Sequence, residues 1–475
     1  MITEDVMRLN KAIFTLFATF CLFSTLFLVK CEISVKASGN VVHVPTQYLT
    51  IQEAINHASS GGSIFVHSGT YYEHVVVNKS IFLIGECIES TLIDGENKPG
   101  KVISITASNV SIQGFTIKGS RARPYDCGIF VDHSNGIDIS HNTITGNNDG
   151  VSFYSSSANV VSDNTITSNY YGISLDYSSA NIVSSNTITE NYYGIHFTLY
   201  SSNNTICHNN FNNTCHVWSD STNVWNDSNE GNYWSNYTGQ DTNGDGIGDT
   251  PYVINMGNQD NYPLMGMFSN FIVTLEGKLY HIATVCNSTI SDFRFEIGSE
   301  TGNKMIRFNV TGQDGTVGFC RIMVPTELMN YPYIVLVGVE EIIPTLLDVS
   351  NETFAYLYFT YVHSSHSIAI IASKTLYLYN ELLDKHVKLQ MGLYNLNTTY
   401  YDLLKNYSIL LGNYSQLQES YRQLNDSYQE HLLDYSETIH NIRNLVQIFA
   451  ATTAIFLITI IYLSKRAHAS KTIMR

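Results

Sequence analysis

The chain has 475 residues, 12% of them aromatic, and a formal net charge of −16 from 25 Lys and Arg against 41 Asp and Glu. This length exceeds what one hydrophobic core supports, so several domains are expected, and the aromatic content excludes disorder for most of the chain. The acidic balance argues against a nucleic-acid partner, because nucleic-acid binders present a basic face.

The first segment of the chain is apolar. Residues 13–29 are uncharged and follow Arg8 and Lys11, which is the pattern of a secretory signal or of a signal anchor. Residues 1–37 are therefore predicted to be a signal peptide or signal anchor. Thirteen Asn-x-Ser/Thr sequons follow this run, in agreement with an external, glycosylated body.

A repeat of about 22 residues comes next. The motif Asn-Thr-Ile-Thr, degenerate in its last copy, begins at Asn142, Asn164, Asn186 and Asn209. A glycine before Ile or Val recurs every 22 residues at Gly128, Gly150, Gly172 and Gly194. A unit this short cannot bury its own apolar side chains, whereas stacked units bury them between neighbours. Residues 41–235 are therefore predicted to form a parallel β-helix in which the four asparagines stack as a ladder.

Several segments of this region carry a family resemblance. An amphipathic helix from Thr50 is followed by Gly62-Ser-Ile-Phe-Val and Gly69-Thr-Tyr-Tyr-Glu, an opening that resembles the right-handed parallel β-helices of the pectate-lyase-like superfamily. Three later segments resemble NosD-like, copper-accessory β-helix proteins and their archaeal surface relatives: Gly231-Asn-Tyr-Trp-Ser-Asn-Tyr-Thr-Gly, Asp241-Thr-Asn-Gly-Asp-Gly-Ile-Gly-Asp-Thr-Pro-Tyr and Asp260-Asn-Tyr-Pro-Leu-Met. The resemblance implies the fold and, in its narrower form, a copper-accessory role.

Residues 236–265 are predicted to form a calcium-like loop and a C-terminal cap. Oxygen donors follow the order of an EF-hand loop, with Gly246 at the turn: Asp241, Asn243, Asp245, the Ile247 carbonyl and Asp249. Tyr252 replaces the usual closing Glu, so water or a distant acid such as Asp260 would have to complete a Ca²⁺ site. A plain Asn/Asp/Gly turn is the alternative. The three tryptophans nearby are expected to cap the open end of the β-helix: Trp218, Trp225 and Trp234.

Copper would need imidazole or sulfur ligands. The candidate donors form no persuasive cluster in the sequence: His208 and His216, with Cys207 and Cys215 beside them, and further along His363 and His366. Copper is therefore not the predicted cofactor. In an oxidising exterior, two disulfides are compatible with the cysteine positions: Cys207 with Cys215, and Cys286 with Cys320.

The charged residues bear on whether the β-helix is an enzyme. Residues 124–277 contain fifteen acids and no Lys or Arg, so the only basic candidates for a lyase lie just upstream: Lys118, Arg121 and Arg123. A hydrolase needs two carboxylates at a defined separation, and the repeat register places Asp132 and Asp176 two turns apart, about 9.6 Å by strand spacing. Solvated turn acids are the alternative explanation. The balance favours a non-catalytic β-helix.

Four tyrosines fall in register on two adjacent turns: Tyr170 with Tyr192, and Tyr171 with Tyr193. Sugars stack on aromatic surfaces, so these residues predict a binding site for neutral glycans. Packing between turns is the alternative.

The remainder of the chain reads as three further elements. Residues 268–374 alternate apolar and polar in short runs, which predicts an antiparallel β-sandwich. Residues 376–444 carry Tyr and Leu at heptad positions, which predicts a coiled-coil stalk about 100 Å long that joins copies of the chain. A helix folded back on the β-domains is the alternative. Residues 445–463 predict a transmembrane helix, and the basic tail 464–475 places the C-terminus in the cytoplasm.

The predicted fold class is mainly β: a right-handed parallel β-helix, an antiparallel β-sandwich, a long coiled-coil helix and a C-terminal transmembrane helix. The predicted function is that of a membrane-anchored cell-surface protein that binds glycans, adheres or supports the envelope without catalysis. A surface polysaccharide hydrolase or lyase is the first alternative. A copper-accessory protein, by resemblance alone, is the second.

Overall fold

The structure, a computed structural model, describes residues 41–472 apart from 121, 122, 124, 331 and 411–415. The predicted signal segment in residues 1–37 and the last three residues of the basic tail lie outside the described residues.

The first part of the chain is a parallel β-helix with three sheets of eight, seven and eight strands. The first sheet contains β1 (Val41–Val44), β2 (Gly62–Val66), β5 (Ile81–Gly85), β8 (Ser111–Gln113), β11 (Asp138–Ser140), β14 (Val160–Ser162), β17 (Ile182–Ser184) and β20 (Thr205–Cys207). The second sheet contains β4 (Val75–Val77), β7 (Ile103–Ile105), β10 (Cys127–Asp132), β13 (Asp149–Tyr154), β16 (Tyr171–Asp176), β19 (Tyr193–Thr198) and β22 (Cys215–Ser219). The third sheet contains β3 (Gly69–Tyr71), β6 (Thr91–Lys98), β9 (Thr116–Ser120), β12 (Thr143–Thr145), β15 (Thr165–Thr167), β18 (Thr187–Thr189), β21 (Asn210–Asn212) and β23 (Tyr233–Trp234).

The strand register confirms the repeat. In the second sheet Ile129 pairs with Val151, which pairs with Ile173, which pairs with Ile195. All four side chains are fully buried, so equivalent apolar residues stack along the axis of the β-helix. This stacking is the core that a single 22-residue unit lacks.

Helix α1 (Ile51–His57) covers the start of the β-helix. The Thr50 side chain accepts a hydrogen bond from the Glu53 N–H at 3.1 Å, which is an N-cap. Ile51, Ala54 and Ile55 are buried because they share one face of the helix. The predicted amphipathic entry helix is confirmed.

The predicted asparagine ladder is present, and Asn186 shows how each rung works. Its Oδ1 accepts both the backbone N–H and the side-chain Nδ2–H of Asn164, each at 3.0 Å. Its own Nδ2 donates to the carbonyls of Val161 at 2.8 Å and Ser184 at 3.0 Å. Its backbone N–H donates to Oδ1 of Asn209 at 3.0 Å. Each fully buried amide therefore satisfies backbone groups at the turn and in the neighbouring coils.

Two further ladders run along other turns of the β-helix. One consists of Asn159, Asn181, Asn204 and Asn223, and the other of Asn147, Asn169, Asn191 and Asn213. All three turns of the repeat are thus held by buried amides.

A hairpin of β24 (Tyr252–Asn255) and β25 (Asn258–Asp260) ends two of the ladders. Its Asn258 and Asp260 accept the hydrogen bonds that a next asparagine would accept. Asp260 accepts from the Asn232 N–H at 2.7 Å and from the Trp234 Nε1–H at 2.9 Å. Asn258 accepts from the Asn223 N–H and from the Trp225 Nε1–H, both at 2.9 Å. Trp225 and Trp234 are buried here and cap the β-helix as predicted, whereas Trp218 does not, because it is exposed on the surface of the second sheet.

Two five-stranded antiparallel sheets follow. One contains β26 (Met267–Leu275), β27 (Lys278–Cys286), β30 (Val317–Pro325), β33 (Thr345–Leu346) and β34 (Phe354–Val362). The other contains β28 (Thr289–Ile297), β29 (Lys304–Thr311), β31 (Tyr333–Val337), β32 (Glu340–Ile342) and β35 (Ser365–Ala372). The predicted antiparallel strands are confirmed, and their packing as a sandwich stays a prediction.

A buried ion network joins the β-helix to the sheet that contains β30. Arg321 of β30 contacts Glu230 at 2.5 Å and donates to the Asp245 carbonyl at 2.8 Å. Glu230 also lies 3.2 Å from Nε2 of His208, whose ring stacks on Phe268 with ring centroids 4.5 Å apart. Burial alone would raise the pKa of Glu230, but His208 and Arg321 lower it on balance. Burial would likewise lower the pKa of His208, but hydrogen bonds to Cys207 and Glu230 raise it to about 10.

We expect Arg321→Met to lower the free energy of unfolding by about 3 kcal/mol, because it leaves the buried Glu230 carboxylate without one of its cations. Glu230 has a lowered pKa, so its ionised form contributes stability above its ordinary pKa, and that contribution is lost as the pH falls through the lower folded value. The difference between wild type and variant should therefore be steady from about pH 5 to 8 and shrink in acid.

Urea unfolding followed by tryptophan fluorescence at several pH values measures this difference. Arg294→Met is the control, because the Arg294 side chain is exposed. An Arg321→Met variant as stable as Arg294→Met at pH 7 would contradict the stabilising role of the network.

The C-terminal helices differ from the predicted stalk. The heptad region forms α2 (Lys374–Leu410) and α3 (Gln416–Thr472) rather than one helix of 67 residues. The rings of Tyr400 and Tyr421 stack 5.3 Å apart, and those of His386 and Tyr435 lie 5.0 Å apart. These contacts pair α2 and α3 in antiparallel fashion, so the heptad seam finds its partner within one chain. The predicted stalk made of one long helix is therefore wrong. Association of several copies of the chain through this seam is not supported.

Helix α3 also carries the predicted membrane segment. Its span Leu424–Ile461 is long and apolar enough to cross a membrane and includes most of residues 445–463. This helix agrees with the anchoring of the protein in a membrane.

Candidate functional site on the β-helix surface

The outward face of the second sheet carries a row of aromatic side chains. The His196 ring lies between those of Tyr171 and Trp218, with centroid distances of 4.6 and 4.8 Å. Trp218 is 42% exposed, and β22, which carries it, is the last strand of this sheet. One side of the indole therefore has no further strand of the second sheet beside it.

The four predicted tyrosines come together at one edge of this row. Tyr170 stacks on Tyr192 at 5.0 Å with 3° between the planes, and Tyr171 stacks on Tyr193 at 5.3 Å with 16°. Tyr170 and Tyr192 are 46% and 48% exposed, respectively. The tyrosines thus form a continuous aromatic patch across two turns, and its binding of a glycan stays a prediction.

Two acids with perturbed ionisation lie on the same face, and sequence reasoning missed the first. Asp149 is 8% exposed and pairs in register with Tyr171. Burial raises its pKa to about 7, against a hydrogen bond from Asn148, and the charge of Asp176 adds to the rise. The pKa of Asp176 is raised too, first by burial and then by Asp220. Acids with perturbed pKa values beside an exposed aromatic patch are candidates for function.

Asp149 could have been found from the repeat. Its register partners in the next two turns are Tyr171 and Tyr193, and Cys127 and Cys215 stand at the two ends of the same column, so a carboxylate stands among Cys and Tyr side chains that are ordinarily uncharged. A break in the pattern of a repeat at one position is the signal that could have revealed it.

The predicted acid pair occupies one column of the second sheet. Asp132 pairs with Tyr154, and Tyr154 pairs with Asp176, which confirms their register two turns apart. The Asp132 carboxylate lies 2.6 Å from Nδ1 of His133, and Asp176 accepts a hydrogen bond from Thr198. Their role in catalysis stays a prediction.

Of the basic residues considered for a lyase, Lys118 lies away from this face. Lys118 lies in β9 of the third sheet and pairs with Asp94 at 3.4 Å. Arg121 is outside the described residues, and Arg123 is exposed.

The calcium-like loop is held by its own hydrogen bonds. Asp241 accepts the backbone N–H groups of Gly244 and Gly246 at 2.8 Å, and Asp249 accepts the N–H of Thr242 at 2.8 Å. Asp245 accepts from the Ile247 N–H and from the Asn243 side chain. Ca²⁺ binding stays a prediction for this loop.

Other metal sites are not formed by the residues named from the sequence. Asp260 is not free to complete the calcium loop, because its carboxylate is buried against Asn232, Trp234 and Tyr262. His208 is committed to Glu230. Within the described part of the chain, no three His, Cys, Asp or Glu residues gather in a way that could hold a metal ion.

Comparisons with known proteins agree with this architecture. Residues 54–239 match the family described as periplasmic copper-binding protein (NosD), which confirms the predicted resemblance for the β-helix. A cell surface glycoprotein of Methanothermus fervidus is 33% identical over 129 residues, which are 26% of this chain and 21% of that protein. The chain thus aligns with about a fifth of the length of this curated relative.

Two enzymes among the solved structures are similar with low identity and low TM-scores. An alginate lyase from Paenibacillus sp. FPU-7 has 15% identity and a TM-score of 0.29, over 39% of this chain and 74% of the enzyme. A pectin methylesterase from Aspergillus niger has 12% identity and a TM-score of 0.21, over 40% and 87%. At such scores these likenesses carry no argument about activity.

Proposed function

We propose that this chain, whose β-helix is of the NosD type, is a membrane-anchored cell-surface protein that binds neutral glycans without cleaving them. The similarity to a surface glycoprotein and the apolar span in α3 support the surface location. The tail 464–475 then lies in the cytoplasm, as its basic residues favour.

The aromatic patch of the second sheet carries the proposal. Tyr170 and Tyr192 are stacked on each other, so both rings are held in place before a ligand arrives. Beside Tyr192 the next turn contributes Thr214, since Tyr193 pairs with Cys215, and a small side chain leaves that ring face without an aromatic neighbour. Trp218 offers a further exposed aromatic ring. Exposed aromatic faces bind the apolar faces of sugars, and preorganised rings lose little entropy on binding.

The charge of the region selects against anionic polymers. Residues 124–277 carry fifteen acids and no Lys or Arg, so a polyuronate would meet like charge along the turns of the β-helix that follow residue 124. Neutral sugars avoid this repulsion.

A polysaccharide hydrolase is the second candidate. It is favoured by Asp149 and Asp176, two acids of raised pKa on the aromatic face, because general acids near neutrality need such a shift. The copper-accessory role suggested by the resemblance is not proposed.

We expect the full-length protein in detergent to bind neutral oligosaccharides on a glycan array. We expect the double variant Tyr170→Ala/Tyr192→Ala to bind at least about tenfold more weakly in calorimetry, because each lost stacking contact is of order 1 kcal/mol. Tyr200→Ala is the control, since Tyr200 is an exposed tyrosine at the far end of β19. Unchanged affinity in the double variant would show that the aromatic patch is not the binding site.

Cleavage of a bound glycan by the wild type, abolished by Asp176→Asn, would favour the hydrolase.

A further inference from the structure

Two cysteines face each other across neighbouring strands of the sheet that contains β30. Cys286 ends β27 and pairs directly with Cys320 of β30 in antiparallel register. Residues directly opposite in an antiparallel pair project to the same face of the sheet. Both thiols are buried, with exposures of 1% and 0%, so they meet inside the protein.

The backbone geometry at this pair suits a disulfide. Opposed residues of an antiparallel ladder have Cα atoms about 4.5 or 5.5 Å apart. Disulfides span Cα separations of about 4.4–6.8 Å. No shift of β27 against β30 is needed to bring the two sulfur atoms within bonding distance.

The surroundings of Cys286 favour its thiolate. The Ser288 N–H donates to its Sγ at 3.4 Å, and the Tyr361 hydroxyl lies 3.5 Å from the same sulfur. The hydrogen bond with Cys320 lowers the pKa of Cys286, against the effect of burial. The same hydrogen bond and burial raise the pKa of Cys320. The thiolate is the nucleophile in disulfide exchange, and these contacts favour it at Cys286.

No other cysteine of the described residues has such a partner in the sheets. Cys127 pairs with Asp149, Cys207 with Ser184, and Cys215 with Tyr193. Cys207 and Cys215 lie in the first and second sheets respectively, so no strand register brings them opposite each other. Among the cysteines that the structure describes, Cys286 and Cys320 are therefore the pair whose strand register suits a disulfide.

We propose that Cys286 and Cys320 are joined by a disulfide bond in the mature surface protein. The Cys286 thiolate attacks the disulfide of an exported thiol oxidant and releases one oxidant thiolate, which leaves a mixed disulfide. Cys320, after losing its proton, attacks the Cys286 sulfur and releases the second oxidant thiolate. The protein loses two electrons and two protons, and the oxidant disulfide becomes a dithiol. Since both sulfurs are buried in the folded sheet, exchange takes place while β27 and β30 pair.

The bond would staple two central strands of a sheet that also carries Arg321. Arg321 follows Cys320 directly and reaches Glu230 and the Asp245 carbonyl of the β-helix. A cross-link at this position therefore holds the strand from which the ion network is built. A disulfide stabilises mainly by restricting the unfolded chain, which suits a protein outside the cell.

The test uses the full-length protein, exported by its own N-terminal segment, purified in detergent and alkylated with N-ethylmaleimide after unfolding without reductant. Peptide mass spectrometry should find the Cys286 and Cys320 peptides linked and about 2 Da below the sum of the two thiol peptides, because two hydrogens are lost. Cys87 and Cys127 should be alkylated. N-ethylmaleimide on both Cys286 and Cys320 would overturn the proposal.

Variants separate the bond from simple packing. In Cys320→Ser, Cys286 should become alkylated without reductant. A phosphine reductant should lower the unfolding midpoint of the wild type and of the control Cys207→Ala/Cys215→Ala, and should leave that of Cys286→Ala/Cys320→Ala unchanged. Equal sensitivity of all three proteins would contradict a bond at this pair. The inference rests on the proposed surface location, which protease shaving of intact cells tests separately: a surface-exposed protein with free thiols fails the disulfide alone.

Discussion

Replacing Asn186 by alanine should lower the free energy of unfolding of the β-helix by about 4–6 kcal/mol, because each buried polar group left unsatisfied costs about 1–3 kcal/mol. The substitution strands the Asn164 N–H and the carbonyls of Val161 and Ser184, which Asn186 now satisfies. Bulk water does not reach these groups, since the position is fully buried. The ladder should therefore fail at this rung even though no apolar contact of the core is removed.

Urea unfolding followed by tryptophan fluorescence measures this loss, because all three tryptophans of the chain lie at the end of the β-helix. Asn229→Ala is the matched control, since Asn229 is exposed and should change stability by no more than about 0.5 kcal/mol. A loss below about 1 kcal/mol for Asn186→Ala would contradict a structural role for the ladder.

Replacing Asp149 by asparagine should stabilise the β-helix by about 2–4 kcal/mol at pH 8, because each unit of pKa shift corresponds to about 1.36 kcal/mol. The folded pKa of Asp149 is about 7, above the ordinary value of 3.8. The folded protein therefore binds this proton more tightly than the unfolded chain, and wild-type stability should fall as the pH rises from about 4 to 7. The substituted amide would be neutral throughout, and its oxygen could still accept a hydrogen bond from Asn148.

The unfolding midpoints of wild type and Asp149→Asn should thus coincide near pH 4 and separate above it. Asp314→Asn is the control, since Asp314 is exposed. A variant less stable than wild type at pH 8 would show that the ionised carboxylate has a partner that stabilises it. If the variant is more stable and also binds or cleaves glycan less well, Asp149 is an acid kept at the aromatic face for function.

The part of the fold set by local repetition could be predicted from the sequence. A spacing of 22 residues, with Ile or Val at equivalent places, predicts a stack of parallel turns, because each side chain is buried only by its equivalent in the next turn. The ladder through Asn142, Asn164 and Asn186 follows from the same spacing. The two further ladders were equally visible, since Asn147, Asn169 and Asn191 share that spacing, and Asn-Tyr-Tyr-Gly recurs at Asn169 and Asn191.

The candidate site was predicted only in part. The stacking of Tyr170 on Tyr192 follows from register alone. The burial of Asp149 does not, because it depends on how deeply the turn before Gly150 sits against the neighbouring coils. The exposure of Trp218 depends on β22 being the last strand of its sheet, and the sequence pattern does not mark where a sheet ends.

The sequence by itself determined the class of each segment: a β-helix where the period is 22, antiparallel strands where it is 2, helices where it is 3.5, and a helix apolar enough to cross a membrane where charge is absent. Only the tertiary structure decided which segments meet. A heptad pattern specifies an apolar stripe along a helix but not the element against which the stripe packs. Here the stripes of α2 and α3 pack against each other. The sequence suggested Asp260 as a metal ligand, but in the fold its carboxylate ends an asparagine ladder. Arg321 contacts Glu230, which is distant in the sequence. Such contacts are set by the packing of distant elements, which no local period encodes.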